Sequence, residues 1–292
     1  MSAAKPLLTV EDLRVEFPTR VGLVRAVRGV SFTLGREKLG IVGESGSGKS
    51  QTGRAILRLV AEPGRVTAKK MEFDGVDLLA ADEKTMRDIR GDRIAMVLQD
   101  PKFSLNPVMT VGNQIAEAYS THARVDRAKA RERALEMLRA VRMREPERVY
   151  GSYPHELSGG MGQRAMIAMM LAAEPDLLIA DEPTSALDVT VQMQVLAILD
   201  DLVTERGMGL IFISHDLNLV ASFCDRVLVM YAGRVVESLR ATELGQAKHP
   251  YTKGLLAALP RIDKPVAELP VLKRDPAWAD DAAAPLGAEE SP

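Results

Sequence analysis

"GESGSGKS", residues 43–50, is the stretch that decides the fold of this chain. It matches the pattern G-x-x-x-x-G-K-[ST], follows the apolar run "KLGIV" and precedes "KSQTGRAILRLV" (49–60), whose apolar spacing predicts a helix. Glycines allow a loop between a strand and a helix to surround phosphate with backbone N–H groups. A chance glycine- and serine-rich turn is the alternative, and it explains neither the lysine–serine pair nor the flanking elements. The stretch therefore predicts a loop that binds the phosphates of a nucleotide.

The loop residues have separate roles in this interpretation. The ammonium group of Lys49 reaches the β and γ phosphates, and the hydroxyl of Ser50 binds Mg²⁺. The set expected to contact the nucleotide consists of Gly43, Glu44, Ser45, Gly46, Ser47, Gly48, Lys49, Ser50 and Gln51.

One pattern recurs in three other runs, "RIAMVLQD" (93–100), "DLLIADEP" (176–183) and "GLIFISHD" (209–216). Each is a continuous apolar stretch that ends in polar residues, which is typical of parallel strands buried on both faces. Their polar ends are expected to lie along one edge of the sheet, where open α/β folds bind ligands. The chain is therefore predicted to be an α/β protein with a mainly parallel sheet.

Two acidic residues follow the apolar run "LLIA" at the predicted end of a strand. Asp181 is placed to hold Mg²⁺ through water. Glu182 is placed to orient and deprotonate an attacking water, an effect worth roughly 10²–10⁴ in rate. The alternative, that both residues only cap a helix or enter a turn, is less favoured because the phosphate loop is present in the same chain.

The remaining segments differ in pattern from this core. Alternating apolar residues at 7–35 predict antiparallel strands, and "RVLVMYAGRVVES" (226–238) predicts a hairpin. Between 101 and 157 the helical period and the many Arg and Glu residues predict a helical insertion, with Asp126 as an N-cap. Beyond residue 260, proline, Asp and Ala runs predict a loose tail, in which we interpret Trp278 as a surface aromatic rather than a binding anchor.

The bulk composition excludes several classes of protein. The 292 residues are 46% hydrophobic and 27% charged, as in a soluble globular protein, and the net charge of −2 argues against binding to bare nucleic acid. The single cysteine, Cys224, excludes a disulfide framework and a cysteine-built metal site, and we expect it to be a small buried residue. No apolar run approaches the ~18 residues of a membrane span, and we expect no signal peptide, because Glu11 and Asp12 directly follow the short apolar patch near the N-terminus.

The order of motifs over about residues 7–260 resembles that of the ATP-binding subunits of ABC transporters. "GESGSGKS" resembles the Walker A loop, "VLQDP" the Q-loop, "LSGGMGQR" the signature loop, "LLIADEP" the Walker B strand, "SALD" the D-loop and "ISHD" the switch segment. The resemblance implies a P-loop NTPase core of the RecA type with an N-terminal antiparallel β subdomain. The implied boundaries are about 7–100 and 165–240 for the α/β core, about 101–164 for an inserted α-helical subdomain, and 241–292 for a C-terminal extension that ends in a flexible tail.

The resemblance also implies further residues for the site, with ATP and Mg²⁺ as its ligands. Gln99 becomes a second protein ligand of Mg²⁺, and His215 faces the γ-phosphate. Phe17 resembles the aromatic residue that stacks on adenine, although a core phenylalanine is equally compatible with the sequence. The implied catalytic set is Lys49, Gln99, Glu182 and His215.

Two ATPase domains meet head to tail in this family, which explains a second glycine loop in the chain. Ser158, Gly159 and Gly160, at a helix start, would then point at the γ-phosphate held by the opposite subunit. Asp188 of the D-loop joins the residues that contact nucleotide. The chain departs from the family at Gly162, where a long or basic residue is usual, and a looser signature helix is the expected consequence.

Three longer stretches resemble the oligopeptide and dipeptide importer ATPases, a group that includes nickel, glutathione and some oligosaccharide importers. They are "QDPKFSLNPVMTVGNQI" (99–115), "YPHELSGGM" (153–161) and "HPYTKGLLAALP" (249–260). The resemblance implies a peripheral ATPase at the cytoplasmic face of the cell (inner) membrane. Its implied partners are two transmembrane permeases, a second homologous ATPase or a copy of itself, and indirectly a periplasmic or extracellular solute-binding protein. The alternative is a soluble ABC ATPase of a cytosolic enzyme complex, such as a carbon–phosphorus lyase accessory subunit.

Overall fold

The computed structural model describes residues 5–99, 104–185, 187–258 and 275–279. The chain divides into two compact units, one formed by residues 1–81 with 211–292 and the other by residues 82–210. Apart from 275–279, the predicted tail beyond residue 260 lies outside the described residues.

The first unit contains an antiparallel sheet built around two long strands. Their alternating residues pair across the sheet, with Val10 opposite Phe32 and Val15 opposite Val27, and all four side chains are buried. This pairing confirms the strands predicted at 7–35. The strands are β1 (Leu8–Thr19), β2 (Gly22–Leu34), β4 (Arg65–Thr67), β5 (Lys70–Phe73) and β6 (Val76–Asp77). Their order in the sheet is β2-β1-β5-β6, with β4 beside β1.

The phosphate loop directly follows one of three further strands of the first unit. Strand β3 (Lys38–Val42) pairs in parallel with β10 (Arg226–Tyr231), which pairs antiparallel with β11 (Arg234–Arg240). The turn between β10 and β11 has positive φ at Ala232, 47°, and at Gly233, 82°, as a two-residue hairpin of type I′ requires. The hairpin predicted from "RVLVMYAGRVVES" is confirmed.

The helix after the loop, α1 (Lys49–Ile56), begins at the predicted lysine but ends earlier than the sequence suggested. Arg58 has a left-handed φ of 53°, and the Leu59 N–H donates to the Arg54 carbonyl at 2.8 Å. This hydrogen bond closes a Schellman motif, which stops the helix. The predicted continuation to Val60 is therefore wrong, because apolar spacing does not reveal a left-handed residue at the end of a helix.

The C-terminal part of the first unit is short and mainly helical. The helix α8 (Leu217–Phe223) precedes β10 and ends beside Cys224, which is buried as expected. Beyond β11 lie a 3₁₀ segment (Ala241–Gln246), the helix α9 (Pro250–Ala257) and a second 3₁₀ segment (Pro276–Ala279). Trp278 is half-buried and packs on other aromatic rings, 6.2 Å from that of Tyr251, and the sequence did not predict this packing.

The second unit contains two buried parallel strands and α2 (Glu83–Ile89). Strands β7 (Ile94–Val97) and β8 (Leu177–Asp181) pair with Ala95 opposite Leu178, and every residue of both strands is buried. This burial confirms the reading of their continuous apolar runs. Strand β9 (Gly209–Ser214) is also entirely buried and carries the chain from this unit back to the first.

Most of the second unit is helical, as predicted for the region after residue 101. The carboxylate of Asp126 accepts a hydrogen bond from the Lys129 N–H at 2.8 Å, which confirms its N-cap role. Among the described residues no helix is long and apolar enough to cross a membrane. The helices are α3 (Val111–His122), α4 (Arg127–Ala140), α5 (Pro146–Gly151), α6 (Gly159–Met170) and α7 (Val189–Arg206).

Candidate functional site

Two glycines of the phosphate loop lie too close to other backbone atoms to be replaced by any other residue. Gly43 has a φ of 155°, and a Cβ atom there would lie 2.2 Å from the Met230 carbonyl oxygen. Gly48 has a φ of 97° at the start of α1, and its Cβ would lie 2.3 Å from the Ala26 carbonyl oxygen. Any side chain would collide with backbone at these two points. The glycines of the sequence pattern therefore allow the loop to curl tightly in front of a helix N-terminus.

The polar groups inside this loop fit a phosphate. Lys49 is only 4% exposed, and its ammonium group donates to the carbonyl oxygens of Gly43, at 2.8 Å, and Glu44, at 2.9 Å. Two buried side-chain atoms find no hydrogen-bond partner among the described residues: the hydroxyl of Ser47, which can donate to a phosphate, and the side-chain oxygen of Gln51, which only accepts. A buried hydroxyl without a partner is costly, and a bound phosphate oxygen would accept a hydrogen bond from it. The loop thus holds a cation and an unsatisfied donor in one place.

Residues far along the chain hold this loop in position. The Gly233 N–H donates to the Ser47 carbonyl at 3.1 Å, and the Glu44 N–H donates to the Tyr251 hydroxyl oxygen at 3.1 Å. Sequence reasoning missed both contacts, because no local pattern marks a residue that reaches the loop from about two hundred positions away. The contacts fix the loop at its start and in its middle.

Two other predicted residues belong to the first unit. Phe17 on β1 is half-buried and pairs with Val24, and one of its ring atoms would lie 2.6 Å from a Cβ on Gly64. It is therefore no fully buried core residue, and its ring stays partly accessible for stacking. His215 is exposed and lies in the bend after β9, where the Asp216 N–H donates to the Ser214 hydroxyl.

In the second unit the acidic pair lies where β8 ends. Asp181 is the last residue of the strand and is 4% exposed. Glu182 has a left-handed φ of 48°, which is unusual for a residue with a side chain. Gln99, after β7, donates its amide N–H to a Glu182 carboxylate oxygen at 3.4 Å. The structure thus brings the predicted glutamine and the predicted base together, and it adds backbone strain that the sequence did not reveal.

The signature loop begins α6 with the geometry expected of a capped helix. The Ser158 hydroxyl accepts from the Met161 N–H at 3.3 Å, and both Ser158 and Gly159 are exposed while Gly160 is half-buried. The helix runs on through Gly162, whose N–H donates to the Ser158 carbonyl at 2.8 Å. An exposed helix start with a hydroxyl and two glycines suits an anion supplied from outside.

Two more side chains support the same region. Arg164 donates to the carbonyl oxygens of Gly160, at 3.3 Å, and Arg142, at 3.0 Å, and so ties the first turn of α6 to the segment that follows α4. Burial, with the charge of Arg144 as a smaller cause, lowers the pKa of Arg164. Asp188, exposed at the start of α7, accepts from the Val191 N–H at 3.0 Å.

These features define a class of protein. A phosphate loop with a buried lysine in front of a helix, and a buried carboxylate at the end of a parallel strand, are the parts of a P-loop nucleoside triphosphatase. The structure describes the two parts in different units. The roles assigned to individual residues remain predictions.

Comparison with known proteins identifies the family. Residues 27–185 match the ABC transporter family. The chain is 53% identical over 257 residues to the "Probable peptide ABC transporter ATP-binding protein y4tR" of Sinorhizobium fredii, which covers 87% of this chain and 77% of the relative. It is 49% identical over 275 residues to the oligopeptide transport ATP-binding protein OppD of Salmonella typhimurium, which covers 94% and 82% respectively.

Solved structures agree with this assignment. A dimer of the ATP-binding cassette MJ0796, bound to ADP and Pi in a post-hydrolysis state, matches with a TM-score of 0.72 and 27% identity over 80% of this chain and 98% of that one. The chain therefore belongs to the ABC transporter family, as its ATP-binding ATPase component, and the predicted fold class is confirmed. The alternative of a carbon–phosphorus lyase accessory subunit is not favoured, because the relatives are named for peptide transport.

Proposed function

We propose that this ATPase powers the import of dipeptides or oligopeptides across a membrane. The observation that carries the proposal is 49% identity to an oligopeptide transport ATP-binding protein over 94% of the chain. The preformed phosphate loop and the exposed start of α6 support the proposal. An ATPase subunit that works as a dimer needs one site for its own nucleotide and a surface that contacts the nucleotide of its partner.

The proposed chemistry is hydrolysis of the γ-phosphate. The oxygen of a water molecule forms a bond to the γ-phosphorus, the bond from that phosphorus to the bridging oxygen breaks, and ADP leaves. Glu182 takes the proton of the water, while Gln99 holds the carboxylate by the hydrogen bond at 3.4 Å. Lys49 offsets negative charge on the β and γ phosphates, and His215 donates to the γ-phosphate.

A magnesium ion fits the donor atoms that the sequence predicts. Ser50, Gln99 and Asp181 offer a hydroxyl, an amide oxygen and a carboxylate, which are the hard oxygen ligands that Mg²⁺ prefers. When bound, Mg²⁺ would neutralise charge on the β and γ phosphate oxygens. The buried position of Asp181 at the end of β8 suits a carboxylate that holds a cation.

The functional assembly is proposed to contain two ATPase subunits and two transmembrane permeases at the cytoplasmic face of the membrane. The second ATPase is a homologue or a copy of this chain, and a solute-binding protein delivers the peptide from outside. Support for the dimer comes from the related cassette, which was solved as a dimer with ADP and Pi. In this arrangement Ser158, Gly159 and Gly160 contact the nucleotide of the opposite subunit.

Purification of the tagged chain from detergent-solubilised membranes tests the proposal. We expect permease chains to co-purify, and vesicles containing the purified complex to accumulate a labelled tripeptide only with ATP and the solute-binding protein. Lys49→Ala should abolish uptake, because it removes the buried cation of the loop. The matched surface control, Lys129→Ala, should leave uptake unchanged. Recovery of soluble enzyme subunits without permeases would overturn the proposal.

A further inference from the structure

An aromatic cluster lies beside the phosphate loop in the first unit. Tyr231, at the end of β10, and Tyr251, at the start of α9, have ring centroids 4.6 Å apart. Trp278 places its ring 6.2 Å from each of these rings and 6.2 Å from the ring of His249. Tyr251 is completely buried, whereas Trp278 is half-buried on the outside of the cluster. The cluster therefore joins residues from β10, α9 and the last 3₁₀ segment.

A hydrogen bond connects the cluster to the phosphate loop. The hydroxyl oxygen of Tyr251 accepts the N–H of Glu44, the second residue of the loop, at 3.1 Å. The carbonyl oxygens on either side of this N–H group, those of Gly43 and Glu44, accept hydrogen bonds from the ammonium group of Lys49. Tyr251 thus hydrogen-bonds to the same Gly43–Glu44 peptide group that binds the side chain of Lys49.

The position of Tyr251 is set by a second layer of contacts. Its own N–H donates to the ring nitrogen Nδ1 of His249 at 3.1 Å. A buried carboxylate, Glu237 on β11, accepts from the N–H groups of Lys248, at 2.5 Å, and His249, at 3.3 Å. These bonds hold the chain just before α9 against β11. These hydrogen bonds therefore fix the position from which the phenol of Tyr251 contacts the loop.

We propose that Tyr251 is a positioning residue for the phosphate loop. Trp278 then modulates nucleotide affinity by packing against the ring of Tyr251. This inference rests on the proposed function of the loop. The hydroxyl satisfies the Glu44 N–H and so fixes the loop entrance in the shape that binds phosphate. Trp278, the only tryptophan of the chain, packs against the ring that carries this hydroxyl. A change in the packing of Trp278 therefore shifts the Tyr251 ring and alters its hydrogen bond to the Glu44 N–H.

The first test removes the hydroxyl and keeps the ring. Tyr251→Phe should raise the Kd of Mg·ATP by roughly three- to tenfold, as expected for the loss of one hydrogen bond at the loop entrance. The turnover number at saturating ATP should stay within about twofold, because the proposed base is untouched. Tyr150→Phe is the matched control, since Tyr150 donates a hydroxyl hydrogen bond to Asn113 at 3.1 Å in the other unit. Its Kd should equal that of the wild type.

A stability control separates positioning from general loosening. Met86→Ala truncates a completely buried residue of α2, which belongs to the other unit, and it should lower the melting temperature while leaving the Kd unchanged. Equal Kd values for Tyr251→Phe and the wild type would overturn the inference. So would an equal loss of affinity in Met86→Ala at the same loss of stability.

Trp278 provides a second measurement that does not depend on the folding of a Tyr251 variant. Trp278→Ala should raise the Kd by roughly two- to fivefold, and Trp278→Phe should restore most of the affinity because it keeps an aromatic ring. In the wild type, Mg·ATP should change the fluorescence of this tryptophan, and Lys49→Ala should abolish the change. A wild-type Kd for Trp278→Ala, or a silent tryptophan upon saturation, would contradict its role.

Equilibrium dialysis with labelled ATP separates the two proposals. Failure of the wild type to bind would overturn the proposed function, and with it this inference. Binding by the wild type together with unchanged affinity in Tyr251→Phe would overturn this inference alone.

Discussion

Glu182 holds a backbone conformation that a glutamate rarely adopts, with a φ of 48°. Such strain costs of order 1–3 kcal/mol and persists where the surroundings impose it, often at functional sites. Glu182→Gln keeps the size of the side chain but removes the group that accepts a proton. We expect binding of Mg·ATP to be retained and phosphate release to slow by at least ~10²-fold. Nearly normal turnover in a phosphate-release assay would show that another residue is the base.

Cys224 is the second residue whose environment leads to a measurable expectation. Burial, with the charge of Asp225 as a smaller cause, raises the pKa of its thiol above the ordinary value of 9.0. The unfolded chain loses this proton from about pH 9, whereas the folded chain keeps it, so folding stability declines as the pH rises above about 9. The decline approaches ~1.4 kcal/mol per pH unit for a fully shifted group.

Thermal unfolding between pH 8 and 10 checks this expectation. The melting temperature of the wild type should fall more steeply with pH than that of Cys224→Ala, which lacks the group but shares all other titrating residues. The native thiol should also react slowly with a thiol reagent at pH 8 and rapidly after denaturation. Parallel pH profiles for the two proteins would contradict the assigned burial effect.

At the level of elements, the starts of α6 and α7 pack against each other. A Cβ on Gly160 would lie 2.5 Å from a methyl group of Val191, whereas a Cβ on Gly159 would come no closer than 3.9 Å to its nearest neighbour, Leu187. We expect Gly160→Ala to lower the free energy of unfolding by about 1–3 kcal/mol, because the added methyl overpacks the contact. Gly159→Ala should change it little. Urea denaturation of both variants measures the difference, and equal values would show that Val191 moves freely.

The elements also show what the sequence could predict. Continuous apolar runs identified β7, β8 and β9 because burial on both faces leaves a strong pattern. The carboxylate of Asp126 identified a helix start because capping is a local hydrogen bond. The end of α1 was missed because Arg58 takes a left-handed conformation that its residue type does not suggest. Buried strands and helix caps can be predicted from sequence, whereas a residue that adopts a backbone conformation unusual for its type cannot.

For the whole molecule, the candidate site was predictable where all the residues that form it lie in one continuous segment. The loop from Gly43 to Ser50 needs only glycine geometry, a lysine and a helix start, all contiguous in sequence. The supports of that loop were not predictable, because Gly233 and Tyr251 reach it from distant segments and their own neighbours give no sign of it. The ring packing of Trp278 was not predictable for the same reason, since its ring partners lie at least 27 positions earlier in the chain.

The same scale carries the prediction on assembly. Ser158 is exposed at the start of α6, and in the proposed assembly it contacts the nucleotide of the opposite subunit, so a long cation there should leave nucleotide binding to its own chain unaffected. Ser158→Arg in a Glu182→Gln background should therefore bind Mg·ATP with unchanged affinity but remain monomeric, whereas Glu182→Gln alone should dimerise when ATP is added. Analytical ultracentrifugation with and without ATP measures the difference. Loss of nucleotide binding by the arginine variant as a monomer would show that this helix start serves the nucleotide of its own chain, and a persistent ATP-dependent dimer would show that it faces no partner at all.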